Sequence, residues 1–159
     1  MTISIKYGLL LGVIVAAFGF LLGLLGLHTN QMAPFGFVIV AIIVNLVIVV
    51  LAVRRLASTS TWVQQLVNGL VLGTVAAVIV FLSSWLMTAI VIPDYYAEFA
   101  EAARVRAVAG GLTADEIEAA VAMATGTSVG SAFQGALGTV ITSVVVAGIA
   151  GMFNRTGRS

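Results

Sequence analysis

Few side chains in this sequence could carry out chemistry, and the acidic ones are confined to one part of the chain. Carboxylate oxygens are the ligands that hard divalent cations prefer, so this cluster is the first candidate for a metal site. Its spacing matches no recognised cation-binding loop, and the last three carboxylates lie where they would stabilise the start of a helix. We therefore predict no metal site. The acidic residues are Asp94, Glu98, Glu101, Asp115, Glu116 and Glu118.

The single histidine, His28, follows the first apolar run of the chain. A histidine acts as a general acid or base only beside positioned partners, and the sequence identifies none for it. We therefore predict that His28 is a surface residue. The chain contains no cysteine, which excludes thiol catalysis, thiolate metal ligands and disulfides. These observations predict no catalytic residue, no cofactor and no enzymatic activity.

Regularly spaced glycines are the clearest pattern. In the first apolar run, small residues recur at steps of three or four, and similar rows occur in the third and fourth runs. Such rows let helix backbones approach closely in lipid. Packing inside one bundle and contact with a partner subunit would both produce them, and we keep both interpretations. The predicted interface residues are Gly8, Gly12, Gly19, Gly23, Gly26, Gly69, Gly73, Gly135 and Gly138.

The composition indicates that these glycines belong to a membrane protein. The chain is 61% apolar and 8% charged, whereas soluble domains are about 45–50% apolar and about 25% charged. About 20 apolar residues cross a hydrocarbon core of about 30 Å as a helix. Four runs are long enough, and each must be helical because backbone polar groups in lipid need partners within their own segment. We predict one membrane domain, 1–159, with spans at about 7–27, 33–53, 66–92 and 132–153.

A charged segment, 94–125, separates the third and fourth runs and is predicted to form a helical hairpin. Gly110 and Gly111 break it in the middle. The spacing of Thr113 and Glu116 is that of a capping box, which begins a second helix. The apolar residues of that second helix fall on one face, so we predict an amphipathic hairpin. They are Ile117, Ala120, Val121 and Ala124.

Basic residues at the span ends predict the orientation. Lys6 precedes the first span, Arg54 and Arg55 follow the second, and Arg155 and Arg158 follow the fourth. Because basic residues beside spans favour the cytoplasm, we predict that both termini are cytoplasmic and that the hairpin lies outside. The predicted fold is an all-α integral membrane four-helix bundle with an extracytoplasmic amphipathic helical hairpin between spans three and four.

The whole arrangement resembles domain-of-unknown-function family 4199. The resemblance rests on the four spans, the turn at 92–96, the charged helix, the phrase at 111–118 and the small residues of the last span. Members of that family are small bacterial membrane proteins. The resemblance implies a multi-pass protein of the bacterial cytoplasmic (inner) membrane and supplies no activity.

The sequence contains several rows of small residues suited to helix packing and no candidate catalytic or metal-binding residue. This combination predicts a non-enzymatic accessory or scaffolding subunit that associates through its glycine-rich helix faces. Its partners would be the lipid bilayer and either a second copy or a membrane complex. A net charge of +1 gives no field that would attract nucleic acid. The alternative is a passive channel or small-solute facilitator, supported by the hydroxyl-bearing face of the fourth span. A proton-coupled pump is unfavoured because no ionisable residue lies near mid-span.

Overall fold

The computed structural model describes residues 3–30, 32–56 and 60–153, and within them the chain is built from α-helices. Four of these helices are long and apolar enough to cross a membrane, so the protein is an all-α, multi-pass membrane protein. Arg155 and Arg158, which entered the prediction of orientation, lie outside the described residues. The helices are α1 (Ile3–Leu24), α2 (Met32–Leu56), α3 (Trp62–Leu86), α4 (Tyr95–Ala109), α5 (Ala114–Ala124) and α6 (Ser128–Phe153).

The start of α3 differs from its prediction for an identifiable reason. The helix begins at Trp62 rather than near residue 66, because Thr61 and Gln64 form a capping box. The Thr61 backbone N–H donates to Gln64 Oε1 at 2.8 Å, and the Gln64 N–H donates to Thr61 Oγ1 at 3.3 Å. These bonds satisfy backbone donors that a helix N-terminus otherwise leaves without partners, so the polar residues before the apolar run join the helix.

The opposite end of α3 continues into a π-helical turn, Met87–Val91. The Ile92 N–H donates to Met87 O at 2.8 Å across this turn, and Pro93, which has no N–H to donate, follows it. The turn buries the side chains of Met87 and Thr88 in the bundle. Single π-turns inside helices often occur at functional sites, and this one borders the cavity described below.

The bundle is arranged around α3, which packs mainly against α1 on one side and α6 on the other. α2 closes the ring by contacting α1 and α6. The most tightly packed part of the core includes Leu11, Val49 and Leu72, which are almost completely buried. Because successive long helices run in opposite directions, Lys6, Arg54 and Arg55 lie at one end of the bundle. All the acidic residues lie at the other.

Polar side chains inside the bundle join neighbouring helices. Asn45 Nδ2 on α2 donates to Ser143 Oγ on α6 at 3.0 Å, and Trp62 Nε1 on α3 donates to Gly148 O on α6 at 3.0 Å. Ser4 Oγ on α1 donates to a side-chain oxygen of α3 at 2.9 Å. Each such bond contributes about 0.6–2 kcal/mol in a membrane, so they help to fix how the helices sit against one another.

α4 and α5 pack against each other as a helical hairpin. Gly111, at φ 72°, supplies the left-handed turn between them, a conformation that costs glycine little. The residues predicted to share one face of α5 are all shielded: Ile117, Ala120 and Val121 are half-buried and Ala124 is buried. Met123, which lies off that face, is exposed. On α4, Tyr96, Phe99 and Ala103 are half-buried and Ala107 is buried, whereas Val105 and Val108, which lie off that face, are exposed.

The start of α5 makes the hairpin sensitive to pH. The Thr113 backbone N–H and hydroxyl donate to Glu116 Oε2 at 2.8 and 2.9 Å, and these bonds hold the pKa of the exposed Glu116 carboxyl below its ordinary value of 4.5. Because the pKa is lower in the folded state, the ionised carboxylate stabilises α5 fully at pH values above the ordinary pKa of 4.5. That stabilisation is lost as the pH falls through the folded pKa.

We therefore expect the Thr113 backbone amide resonance, followed by NMR, to titrate at pH values below 4.5 as the cap opens. Glu116→Gln is the matched control, because the amide keeps an oxygen acceptor that cannot be protonated in this range. The same titration in the Gln variant would show that Glu116 is not the group responsible.

Candidate functional site

Four of the predicted interface glycines lie along the two main contacts of α3. Gly8 and Gly12 of α1 face α3, and a Cβ built on Gly8 would stand 2.6 Å from Leu72 O, a backbone atom. Gly69 and Gly73 of α3 face α6. Real Cβ atoms do not approach backbone this closely, so the absence of a side chain sets the distance between these helices.

The remaining predicted glycines differ from one another. Gly19 faces the ring of Phe37 across the α1–α2 contact, and Gly23 faces Met87. The assignment of Gly26 to a helix interface is wrong: α1 ends before it, and Gly26 turns the chain in the left-handed conformation with φ 68° and no neighbouring atom within 4 Å of a built Cβ. It therefore serves the turn into α2.

Gly135 and Gly138 of α6 are both exposed on the outside of the bundle. A Cβ on Gly138 would meet nothing within 4 Å, and one on Gly135 would lie 3.7 Å from Val80 Cγ1. Close approach within this chain does not account for Gly138. Contact between Gly138 and a partner subunit stays a prediction.

A cavity of about 260 Å³ lies inside the bundle at the end that carries the hairpin. It is lined by residues of α1, α2, α3 and α6, and its wall is mainly apolar. Met87 and Thr88, from the π-helical turn, border it beside Tyr95 of α4. Its other polar lining residues are His28, Ser83, Ser84 and Ser131.

His28 is buried, so its prediction as a surface residue is wrong. Only 7% of it is exposed; its Nε2 lies 2.7 Å from Glu98 Oε2 on α4, and its ring stacks on Tyr95 with centroids 4.7 Å apart. The other ring nitrogen, Nδ1, is buried without a hydrogen-bond partner among the described residues. The histidine therefore joins the hairpin to the bundle through Nε2.

A second bond fastens α4 to the turn between α1 and α2. Arg106 Nη1 donates to the backbone oxygen of Thr29 at 2.7 Å. We call this set, His28, Thr29, Tyr95, Glu98 and Arg106, the α4 docking contact. The carboxylate and guanidinium come from one face of α4, about two helical turns apart, and both reach the short Leu27–Thr29 turn.

The phenol of Tyr95 completes this contact as a neutral group. Burial raises its pKa above the ordinary value of 10.0, and the neighbouring Tyr96 phenol raises it further. The two rings meet edge to face with centroids 5.1 Å apart. Tyr95 therefore stays protonated at neutral pH and covers the imidazole with an uncharged ring.

The carboxylates are used separately rather than together. Glu98 contacts His28, Glu101 lies 3.8 Å from Arg104 on the same helix, and Glu116 caps α5. Within residues 3–30, 32–56 and 60–153, no three His, Cys, Asp or Glu side chains come together in a way that could hold a metal ion.

Sequence reasoning missed the α4 docking contact because its partners are distant in the chain. His28 and Glu98 are 70 positions apart, and Thr29 and Arg106 are 77 positions apart. No local spacing connects them. A usable signal was that the only histidine and every acidic residue lie on the same predicted side of the membrane.

One of three comparisons with known proteins found a match. Among curated proteins and among solved structures, none matches the chain significantly. A family model described as "Protein of unknown function (DUF4199)" matches residues 6–156, which is nearly the whole chain and includes all four spans and the hairpin. The chain therefore belongs to the DUF4199 family.

Proposed function

We propose that this protein is a non-enzymatic accessory or scaffolding subunit of the bacterial cytoplasmic membrane that associates through the outer face of α6. The observation that carries the proposal is Gln134. Its side chain is exposed on α6 between Phe133 and Leu137, which are also exposed. It lies about 9 Å from the start of the helix and just inside the predicted span 132–153, near the outer edge of the apolar band, where contact with a second helix supplies the hydrogen-bonding partner that lipid lacks.

The residues around Gln134 suit a helix–helix contact. Gly130 and Gly138 lie one turn before and one turn after it on the same exposed face. Small residues at this spacing admit a second helix closely, and an amide between them hydrogen-bonds across the contact. Because an amide both donates and accepts, two copies of Gln134 related by a twofold axis satisfy each other. We therefore favour a second copy of this chain as the partner.

The orientation belongs to the same proposal. Lys6, Arg54 and Arg55 lie at the end of the bundle opposite the hairpin, and basic residues beside spans favour the cytoplasm. This supports cytoplasmic termini and an extracytoplasmic α4–α5 hairpin. The alternative function, a passive channel, draws no support from a specific contact, since the Ser143 hydroxyl is bonded to Asn45 and the Thr139 hydroxyl to Gly135 O.

Association of the purified protein tests the proposal. We expect the wild type in mild detergent to have more than the monomer mass of 16.4 kDa after correction for detergent, measured by light scattering. Gln134→Leu and Gly138→Leu are each expected to weaken association by about threefold to thirtyfold. Gly36→Leu is the matched control, because Gly36 is exposed on α2 with no atom near a built Cβ.

A wild type that runs strictly as a monomer, with nothing bound to it after gentle extraction, would contradict the proposal. Equal weakening by Gly36→Leu and Gly138→Leu would contradict the assignment to α6, because both changes add the same side chain to an exposed helix face.

A further inference from the structure

A groove of about 360 Å³ lies between α2 and α6 at the end of the bundle opposite the hairpin. Residues three or four apart share one face of a helix, and one such row from each helix forms a side of the groove. We call it the α2–α6 groove. Its sides include Leu46, Val50 and Arg54 on α2 and Val146, Ile149 and Phe153 on α6.

The α2–α6 groove is open to the lipid along its length. Val50 and Val146 are half-buried, whereas Leu46 and Ile149 are exposed, so the first pair lies deeper than the second. Leu46 and Arg54 are eight residues apart, which is about 12 Å along the helix. Half of a hydrocarbon core of about 30 Å is about 15 Å. The groove therefore covers most of the depth of one leaflet.

The size and the lining of the groove suit a chain rather than a helix. A helix is about 10–12 Å across with its side chains, so about 12 Å of its length would fill roughly 900–1,400 Å³, well above the volume of the groove. Helix–helix contacts in lipid are also enriched in small residues, whereas the groove is lined mostly by leucine, valine, isoleucine and phenylalanine. An acyl chain is narrow, apolar and supplied by the surrounding bilayer, so it fits such a groove better.

Arg54 gives one end of the groove a positive charge. It is the first charged residue after the apolar run of α2 and is exposed, so its guanidinium lies at the level of the lipid head groups. Every aspartate and glutamate of the sequence lies within 94–118, at the other end of the bundle, so no acidic side chain neutralises Arg54. A guanidinium binds phosphate through paired hydrogen bonds. Lys6 and Arg55 lie at the same end and favour a head group with a net negative charge.

We propose that the α2–α6 groove binds one anionic phospholipid. The phosphate bonds to the Arg54 guanidinium, and one acyl chain lies along Val50 and Val146 toward Leu46. A zwitterionic lipid offers the same chains and phosphate but brings an ammonium group into a basic region, so we expect it to bind more weakly. The groove begins about 18 Å along α6 from Gln134, so this binding is separate from the association proposed above.

Native mass spectrometry of the full chain in mild detergent counts the phospholipids bound to each copy. The protein is titrated with dioleoyl phosphatidylglycerol, which is anionic, and with dioleoyl phosphatidylcholine, which is zwitterionic and has the same chains. We expect phosphatidylglycerol to bind about fivefold more tightly, and Arg54→Gln to abolish this preference. Arg55→Gln is the matched control and should keep the preference, because Arg55 is also exposed but does not line the groove.

Val50→Phe tests the position of the acyl chain without altering the charge. The larger ring would fill the groove, so both lipids should bind at least about fourfold more weakly, the effect of leaving one CH₂ group unburied. Val47→Phe, at an exposed position of α2 outside the groove, should bind both lipids as the wild type does. Equal affinity of the wild type for both lipids, an equal loss in the two arginine variants, or equal binding by the two phenylalanine variants would each overturn the proposal.

Discussion

Replacing Gly8 with alanine is expected to lower the free energy of unfolding by about 1–3 kcal/mol, the usual cost of forcing an extra carbon into a packed interior. The added Cβ would stand 2.6 Å from Leu72 O and 2.9 Å from Val75 Cβ. The oxygen belongs to the backbone of α3 and cannot rotate away, so α1 and α3 must move apart. Thermal unfolding in detergent, followed by circular dichroism, measures the change.

Gly36→Ala provides the control with the opposite expected sign. Gly36 also lies within a helix, but nothing stands within 4 Å of a Cβ built on it. Alanine favours a helix by up to about 1 kcal/mol over glycine, so this variant should be as stable as the wild type or more stable. Equal destabilisation by both changes would mean that the glycines of α1 are not needed for close packing.

Replacing Glu98 with alanine is expected to release the hairpin from the bundle. The carboxylate is half exposed, but its partner His28 is almost fully buried, so the change leaves the imidazole without its bond. Leaving one buried polar group unsatisfied costs about 1–3 kcal/mol. We expect that loss in unfolding free energy, together with faster hydrogen exchange throughout α4, measured by mass spectrometry.

Glu101→Ala is the matched control on the same helix. Glu101 faces Arg104 at 3.8 Å with both side chains more than half exposed, and such surface pairs contribute about 0.2–1 kcal/mol. α4 should therefore keep its protection in this variant. If both variants exchange at the same rate, the His28–Glu98 contact does not hold the hairpin in place.

The spans could be predicted from the sequence because each is governed by a local property. An uncharged run of sufficient length has one stable arrangement in lipid, and that rule does not depend on its neighbours. The start of α5 was equally readable, since Thr113 and Glu116 are three positions apart and meet within one helical turn. A similar spacing at Thr61 and Gln64 marks the start of α3, before the predicted span begins.

The contacts between helices could not be predicted in the same way. Periodic glycines indicate that a helix has a close neighbour, but not which helix it is, and so Gly8 and Gly138 looked alike before the structure separated them. His28 was misjudged because its burial depends on α4, which folds back over the α1–α2 turn from far along the chain. Exposure at such a position is set by tertiary packing rather than by local sequence.

The central claim is that the chain crosses the membrane four times and leaves the hairpin opposite the α2–α3 connection. Because the natural chain contains no cysteine, Met123→Cys on the exposed face of α5 and Ser60→Cys before α3 each introduce one labelling site. In intact bacterial cells, a membrane-impermeant maleimide should label the Met123 variant at once and the Ser60 variant only after lysis. Labelling of both variants in intact cells, or of Ser60→Cys alone, would contradict this topology.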